Sequence, residues 1–481
     1  MILKFKKLYG NVKTETLTAK FMLLKHELKV VTEKMRRRNT IYNRKRINFQ
    51  FKRNSKLVYR KFKNEEDIEV KVTPSKEEVE QFWGGIWGVE KKFNKDATWL
   101  AELKENYCKN ATTINYKITE DLVKEVVNKM PNNKAPGRDL ITHFWYKKLS
   151  VTIKPIVQIT TSFFEESNSI PEWLALTRTT LLPKNKHTQL ARNYRPIACE
   201  NNLFKIYTGI IANFVNNHCQ RNNIVCSEQA ANRPGSWGCV DQLFINKNIM
   251  EETVKYKRNL ICAWLDYKKA YDSVSHDWIL ESIRLSKIPE NVIKAIENII
   301  QVWAVKVYLH GENNEIDTNI IKYSTGMLQG DLLSVILFIL CFNPLSYLLK
   351  KCDGYTMGPP GERNLEITHL FFVDDLKLYS VNENKLKTQL DVITSFSNDI
   401  GMQFGEDKCA YIYIERGKRK SIGKTIQINE VNIRELEEEE SYKYLGLDES
   451  IQFENAINKE NIITEYSRPL TKNMVIRTQR I

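Results

Sequence analysis

Two adjacent carboxylates between two apolar arms constrain this chain more than any other feature. Residues 369–380 read HLFFVDDLKLYS, a pattern that predicts strand, tight turn and strand, with Asp374 and Asp375 at the turn. The arms are apolar enough to bury the hairpin, and burying two negative charges side by side is costly unless cations compensate. A pair of turn-forming Asp residues is the plainer reading of the same letters, and a second acidic position weighs against it. LICAWL at 260–265 has the length and composition of a fully buried strand, and it ends on Asp266. A carboxylate at the end of a buried strand needs a partner, and a metal ion is one. Ser275 is placed to cap a helix expected over His276 to Lys287. Carboxylates that clamp two magnesium ions about 3.5–4 Å apart are a general device for in-line phosphoryl transfer. Two or three of them suffice, because each ion keeps waters and substrate oxygens.

Charge points the same way. The net charge of the 481 residues is +15. Residues 1–63 hold 20 Lys and Arg against 3 Glu, a net of +17, so the rest of the chain stands at −2. Such an arm suits a phosphate backbone, whose counterions are released on binding. A solvated segment that only confers solubility is the bland alternative. Tyr42, Phe49, Phe51, Tyr59 and Phe62 interleave with the basic residues and could stack on bases, which favours nucleic acid. Phe21, Leu24, Leu28, Val31 and Met35 mark one amphipathic helix in the arm. Residues 64–76 read as a linker, and FWGGIWG at 82–88 with Trp99 reads as a small helical pack on the main body. A polar stretch at 109–118 precedes a helix expected over Glu120 to Met130. The nine scattered cysteines include no CxxC pair, against a disulfide framework or a structural zinc. No stretch has the roughly 18 uninterrupted apolar residues of a membrane span, and Leu332 to Phe342 reads as a buried helix. There is no leader of the secretory kind, so an intracellular, reducing compartment is expected.

Many further segments resemble, in one order, the reverse transcriptases of non-LTR retrotransposons, particularly the site-specific kind of invertebrates. They are NFQFKRNSKLVYRKF (48–62), EQFWGGIW (80–87), KAPGRD (134–139), LLPK (181–184), NYRPIA (193–198) and EQAANRPG (228–235) with Asp241 and Gln242. LDYKKAYDSV (265–274), GMLQGDLLSVILF (326–338) with NPL (343–345), FVDD (372–375), GMQFGEDKC (401–409) and YKYLG (442–446) follow. The resemblance covers roughly 45–450. It implies an α+β right-hand polymerase with fingers and palm, a helical basic N-terminal extension and a partial thumb. The divisions expected are a nucleic-acid-binding arm at 1–63, a linker and Trp-rich segment at 64–118, fingers and palm at 119–420, and the end of the palm with part of the thumb at 421–481.

The resemblance also implies roles. Asp266, Asp374 and Asp375 hold two Mg²⁺ ions, with Mn²⁺ as a possible substitute, and the main-chain carbonyl of Tyr267 adds a ligand. Tyr271 matches the aromatic gate that rejects a ribose 2′-hydroxyl; on the residues alone, a core aromatic is an equal reading. Gln329 and Gly330 support the incoming nucleotide and the template. Lys184 and Arg195 touch the triphosphate, with solvated surface charge as their alternative, and Lys408 protonates the departing pyrophosphate. The partners implied are an RNA template, a DNA primer or target and dNTPs, with no membrane and no evident protein partner, in the nucleus. The hairpin has Val373 where alanine is usual, Val335 stands where proline commonly follows LS, and EQAANRPG replaces a glycine-phenylalanine-arginine wording. Neither zinc fingers nor an endonuclease is visible. A relic that only binds nucleic acid, an RNA-dependent RNA polymerase and a group II intron maturase are the rival readings.

Overall fold

The computed structural model describes residues 25–26, 29–38 and 73–449, apart from 133, 166–169, 185–187, 311–314, 360–364, 406–407, 429–430 and 438–439. The chain divides into two compact units, Met1–Glu69 and Val70–Ile481. In the first, residues 29–38 are helical, and Val31 and Met35 are exposed on that helix. Phe21, Leu24 and Leu28, like the five interleaved aromatics of the arm, lie outside the described residues.

The second unit is built on two larger sheets. The first runs Tyr194–Cys199, Leu176–Pro183, Ala304–His310, Glu315–Lys322, with the middle pair parallel and the others antiparallel. The second has seven strands. Its path is Ile426–Ile428, Val431–Glu435, Ala410–Glu415, Leu260–Leu265, Asp375–Ser380, His369–Phe372, with Lys418–Arg419 pairing off Ala410–Glu415. Residues of the 421–481 segment therefore extend the sheet that carries Asp375.

The apolar run LICAWL becomes the central strand because it is buried on both faces. All six residues are buried; Ile261, Ala263 and Leu265 enter one core, while Leu260, Cys262 and Trp264 enter a second. Alternation of side chains sends successive residues to opposite faces, so a strand covered twice must be apolar throughout. The first core is centred on the Leu332–Leu349 helix, which packs against the Asn202–Arg221, His276–Leu285 and Glu383–Asp399 helices. That helix is long and apolar enough to cross a membrane, but most of it is buried inside the protein.

The Trp-rich stretch folds as expected. Ser75 caps the Lys76–Trp87 helix by accepting from Glu78 N, and Val79, Trp83 and Trp87 form its buried stripe. Trp83 stacks on Trp87, and Trp87 on Tyr323, with centroids 4.5 and 4.8 Å apart. Ser275 likewise caps the His276–Leu285 helix through Trp278 N. The helix expected to reach Met130 is Glu120–Lys129. All nine cysteines are free thiols.

Candidate active site

Strand register assembles the acidic site. Leu265 pairs with Leu376 in antiparallel register as the last pair of the two strands, so Asp266 leaves the central strand at the end where Asp375 begins its own, close enough for the two charges to interact. Like charges so placed repel. Asp374 adds a third carboxylate from the hairpin turn. The turn lies one residue earlier than the sequence implies: Phe372 pairs with Asp375, which leaves Val373 and Asp374 as its two central residues. Asp375 thereby belongs to the strand, where its register with the central strand is fixed.

Val373 has φ +59° and Asp374 is not in the positive region, the pattern of a type II′ hairpin turn. Glycine is the usual residue at the first position, and a β-branched side chain held there costs on the order of 1–3 kcal/mol.

The three acids electrostatically oppose one another. Asp375 is pushed up to about 6 by burial and by the neighbouring charges of Asp374 and Asp266. Burial, with a contribution from Asp266, also raises Asp374, while Lys408 and Arg195 pull it down. Lys408 Nζ donates to the Asp266 carboxylate, and Gly405 N donates to the Asp266 main-chain oxygen at 2.9 Å. Lys408 thus sits as a counter-charge to the first acid. Among the described residues, no three His, Cys, Asp or Glu side chains converge as a closed metal cage. The all-oxygen donor set, half-buried and short of positive charge, nevertheless fits a hard divalent cation that brings its own waters.

A cleft of about 620 Å³ opens over this site. Asp266, Tyr267, Tyr271, Asp374 and Lys408 line it together with Lys184, Arg195, Gln329 and Gly330; of the residues singled out from sequence, only Asp375 stands outside the lining. Lys184 follows the strand that pairs with Arg195's strand, and Lys184 N donates to Asn193 O at 2.8 Å. Partial burial and the Arg195 charge lower the Lys184 ammonium. The Tyr267 ring is core, 2 % exposed, with its hydroxyl on Ser397 at 2.9 Å. Only its backbone is therefore available to the site. The flanking bonds, Lys268 N to Gln403 O and Gly405 N to Asp266 O, are those of a non-hydrogen-bonded Tyr267–Phe404 pair and turn the Tyr267 carbonyl away from Phe404. Tyr271 lies flat on Phe338, with centroids 4.5 Å apart and planes 8° apart, and is half-buried, so it is both core-packed and cleft-facing. Gly330 has φ +123°, and a Cβ there would stand 2.9 Å from Ala198 O, so the loop closes against that strand only with glycine.

Three lining residues carry no obvious signal in the sequence. Lys269, at φ +51°, places its ammonium 3.8 Å from the Phe82 ring centre and 4.8 Å from that of Trp83, and burial pushes it down to about 8. Asp272 is 3 % exposed and accepts from Trp87 Nε1 at 2.9 Å and Gln329 Nε2 at 3.2 Å. Trp83 completes that wall. The Trp-rich helix is thus bonded to the loop that carries Gln329 through one carboxylate. No local pattern could reveal this, since Trp87 and Asp272 are 185 positions apart.

Residues 182–448 match the family described as reverse transcriptase (RNA-dependent DNA polymerase). The chain is similar to the retrovirus-related Pol polyprotein from the type-2 retrotransposable element R2DM of Drosophila melanogaster, 26% identical over 283 residues, 58% of this chain and 25% of that protein. It is similar to the Pol polyprotein from the type-1 retrotransposable element R2 of Nasonia vitripennis, 26% identical over 342 residues, 69% of this chain and 31% of the relative. It also resembles the RNA-directed DNA polymerase from the mobile element jockey of Drosophila melanogaster, 21% identical over 357 residues, 71% of this chain and 36% of the relative. The chain spans about a quarter to a third of the length of these curated relatives. With the matched region running from the strand before Lys184 to the strand ending at Glu449 and enclosing every acid of the cleft, the chain belongs to the reverse transcriptase family, of the non-LTR retrotransposon kind.

Proposed function

We propose that this chain is the polymerase portion of a non-LTR retrotransposon protein, copying an RNA template into DNA by extending a primer 3′-hydroxyl with dNTPs. The observation that carries the proposal is the register that brings Asp266, just past the Leu265–Leu376 pair, to the strand end where Asp375 stands, with Asp374 at the adjoining turn. Asp266, Asp374 and Asp375, with the Tyr267 carbonyl, are the groups that would hold two Mg²⁺ ions or Mn²⁺ in their place. Such ions, when bound, make the primer hydroxyl a better nucleophile and offset the triphosphate charge.

The chain's own residues do the rest. Lys184 and Arg195 face the same cleft from the four-stranded sheet and meet the triphosphate as cations. Gln329 and Gly330 form the floor for the base pair, and Tyr271 closes the space beside C2′ of the sugar. Lys408 is placed to give a proton to the departing pyrophosphate once its hold on Asp266 is relaxed. In this reading the four-stranded sheet belongs to the fingers, the seven-stranded sheet is the palm, and segment 1–63 binds nucleic acid in the nucleus. Its net charge of +17 supports that placement.

The test is primer extension on poly(rA)–oligo(dT) with Mg²⁺, comparing wild type with Asp374→Asn. Extension that is lost in the variant is expected. A folded wild-type chain that binds RNA yet extends nothing would leave only a nucleic-acid-binding relic.

A further inference from the structure

The EQAANRPG segment reaches the cleft only through Asn232, yet its buried glutamine meets the hairpin turn directly. Gln229 is 3 % exposed, and its Oε1 accepts from Val373 N at 3.0 Å and from Ala231 N at 3.1 Å. Its Nε2 donates to Val373 O at 3.4 Å. One carboxamide therefore satisfies both backbone groups of Val373, the residue held at φ +59°. The segment is itself stapled to the hairpin: Phe371 N donates to Glu228 O at 2.9 Å and Ala230 N to Phe371 O at 3.2 Å. Gln242 Nε2 then bonds both Glu228 O, at 2.8 Å, and Phe371 O, at 3.1 Å. A buried amide must be bonded on its N–H and its C=O, and only one orientation of Gln229 does this for the turn.

We infer that Gln229 is a positioning residue for the acidic hairpin: its carboxamide clamps the backbone of Val373 and thereby fixes the directions of Asp374 and Asp375. The inference rests on the polymerase reading for its effect on rate, though the clamp itself does not. Outer groups that orient the carriers of a metal site commonly matter about 10–100-fold in affinity or activity. A glycine at 373 adopts positive φ without strain, so it should make the clamp partly dispensable.

The experiment compares the full chain as wild type, Gln229→Leu, Val373→Gly and the double variant. Exchange of the Val373 amide with deuterium is read first. It should be slow in wild type and at least about 10-fold faster in Gln229→Leu, since a lost acceptor opens the turn to solvent. In primer extension, Gln229→Leu should lower kcat about 10–100-fold and raise the Mg²⁺ concentration for half-maximal rate, with KM for dNTP within about 2-fold. Adding Val373→Gly should restore kcat at least about 5-fold, because the turn then holds its shape unaided. Unchanged amide exchange in Gln229→Leu overturns the inference, as does a double variant no faster than Gln229→Leu alone. If Gln229→Leu does not fold, Gln229→Glu takes its place; it keeps the acceptor and loses the donor to Val373 O, its kcat should fall at least about 5-fold below wild type, and a wild-type kcat overturns the inference. A wild-type chain that extends no primer sinks the polymerase reading alone, since amide exchange still decides the clamp.

Discussion

Behind the acidic hairpin, Lys377 and Glu449 form an ion pair at 2.5 Å, with side chains only 1 % and 4 % exposed. The Lys377 ammonium also lies over the Trp264, Tyr444 and Tyr379 rings, at 4.5, 5.0 and 5.6 Å. Glu449 accepts in addition from Asn246 Nδ2 at 2.5 Å and Trp264 Nε1 at 3.2 Å. Glu449→Gln removes the charge and keeps one acceptor oxygen, which can still serve Trp264 Nε1 while the new NH2 faces Asn246. Breaking a buried pair from one side typically costs about 3–5 kcal/mol, because an uncompensated charge stays behind. The rings soften that cost by about 1 kcal/mol or more, so the lower half of the range is expected. For a unit of this size the entropy of unfolding is about 0.8 kcal/mol/K, which converts about 3–4 kcal/mol into a fall of about 4–5 °C in Tm. Lys377→Met added to Glu449→Gln removes the stranded charge and should recover more than half of the loss. Thermal unfolding followed by circular dichroism measures all three proteins. A double variant no more stable than Glu449→Gln would refute the reasoning, since the loss could not then come from an unpaired ammonium.

In the metal-free protein, the Asp375 carboxyl stands at about 6 against an ordinary 3.8, so the folded state keeps a proton that the unfolded chain has released. Stability should therefore fall as pH rises from about 4 to about 6; urea titrations should show that slope in wild type and a flatter one in Asp375→Asn. In the proposed polymerase reading, Tyr271→Ala opens the space beside the sugar, and the ratio of rNTP to dNTP incorporation should rise at least about 10-fold in single-nucleotide extension. Trp87→Phe leaves Asp272 Oδ1 buried without its indole donor and should cost about 1–3 kcal/mol in thermal unfolding.

The sequence reveals those parts of the site whose signal is local. LICAWL announces a doubly buried strand, and HLFFVDDLKLYS a hairpin, because burial on known faces imposes a period on neighbouring residues. The turn is displaced by one residue, since nothing in the letters favours a valine in the left-handed region over an aspartate. Lys377 illustrates the limit. It sits in what reads as an apolar arm, and its burial is tolerable only through Glu449, 72 positions later. The same holds for Trp87 with Asp272 and for Gln229 with Val373, pairs joined by tertiary packing that no window of sequence spans. Lys269 reads as one more basic residue until the fold lays it across Phe82 and Trp83.

The place of the central strand in the sheet also bears on how the chain is made. Leu260–Leu265 has Asp375–Ser380 on one side and Ala410–Glu415 on the other, both more than a hundred residues later. At a synthesis rate of about 5–20 residues per second, this strand waits roughly 5–20 s for its first neighbour and longer for its second. During that interval both its edges are unpaired and six apolar side chains lack their cores, the condition in which a nascent chain most needs shielding from others of its kind. The three acids can come together only when the first of these neighbours arrives, so the site is assembled while the Ala410–Glu415 edge of the central strand is still open.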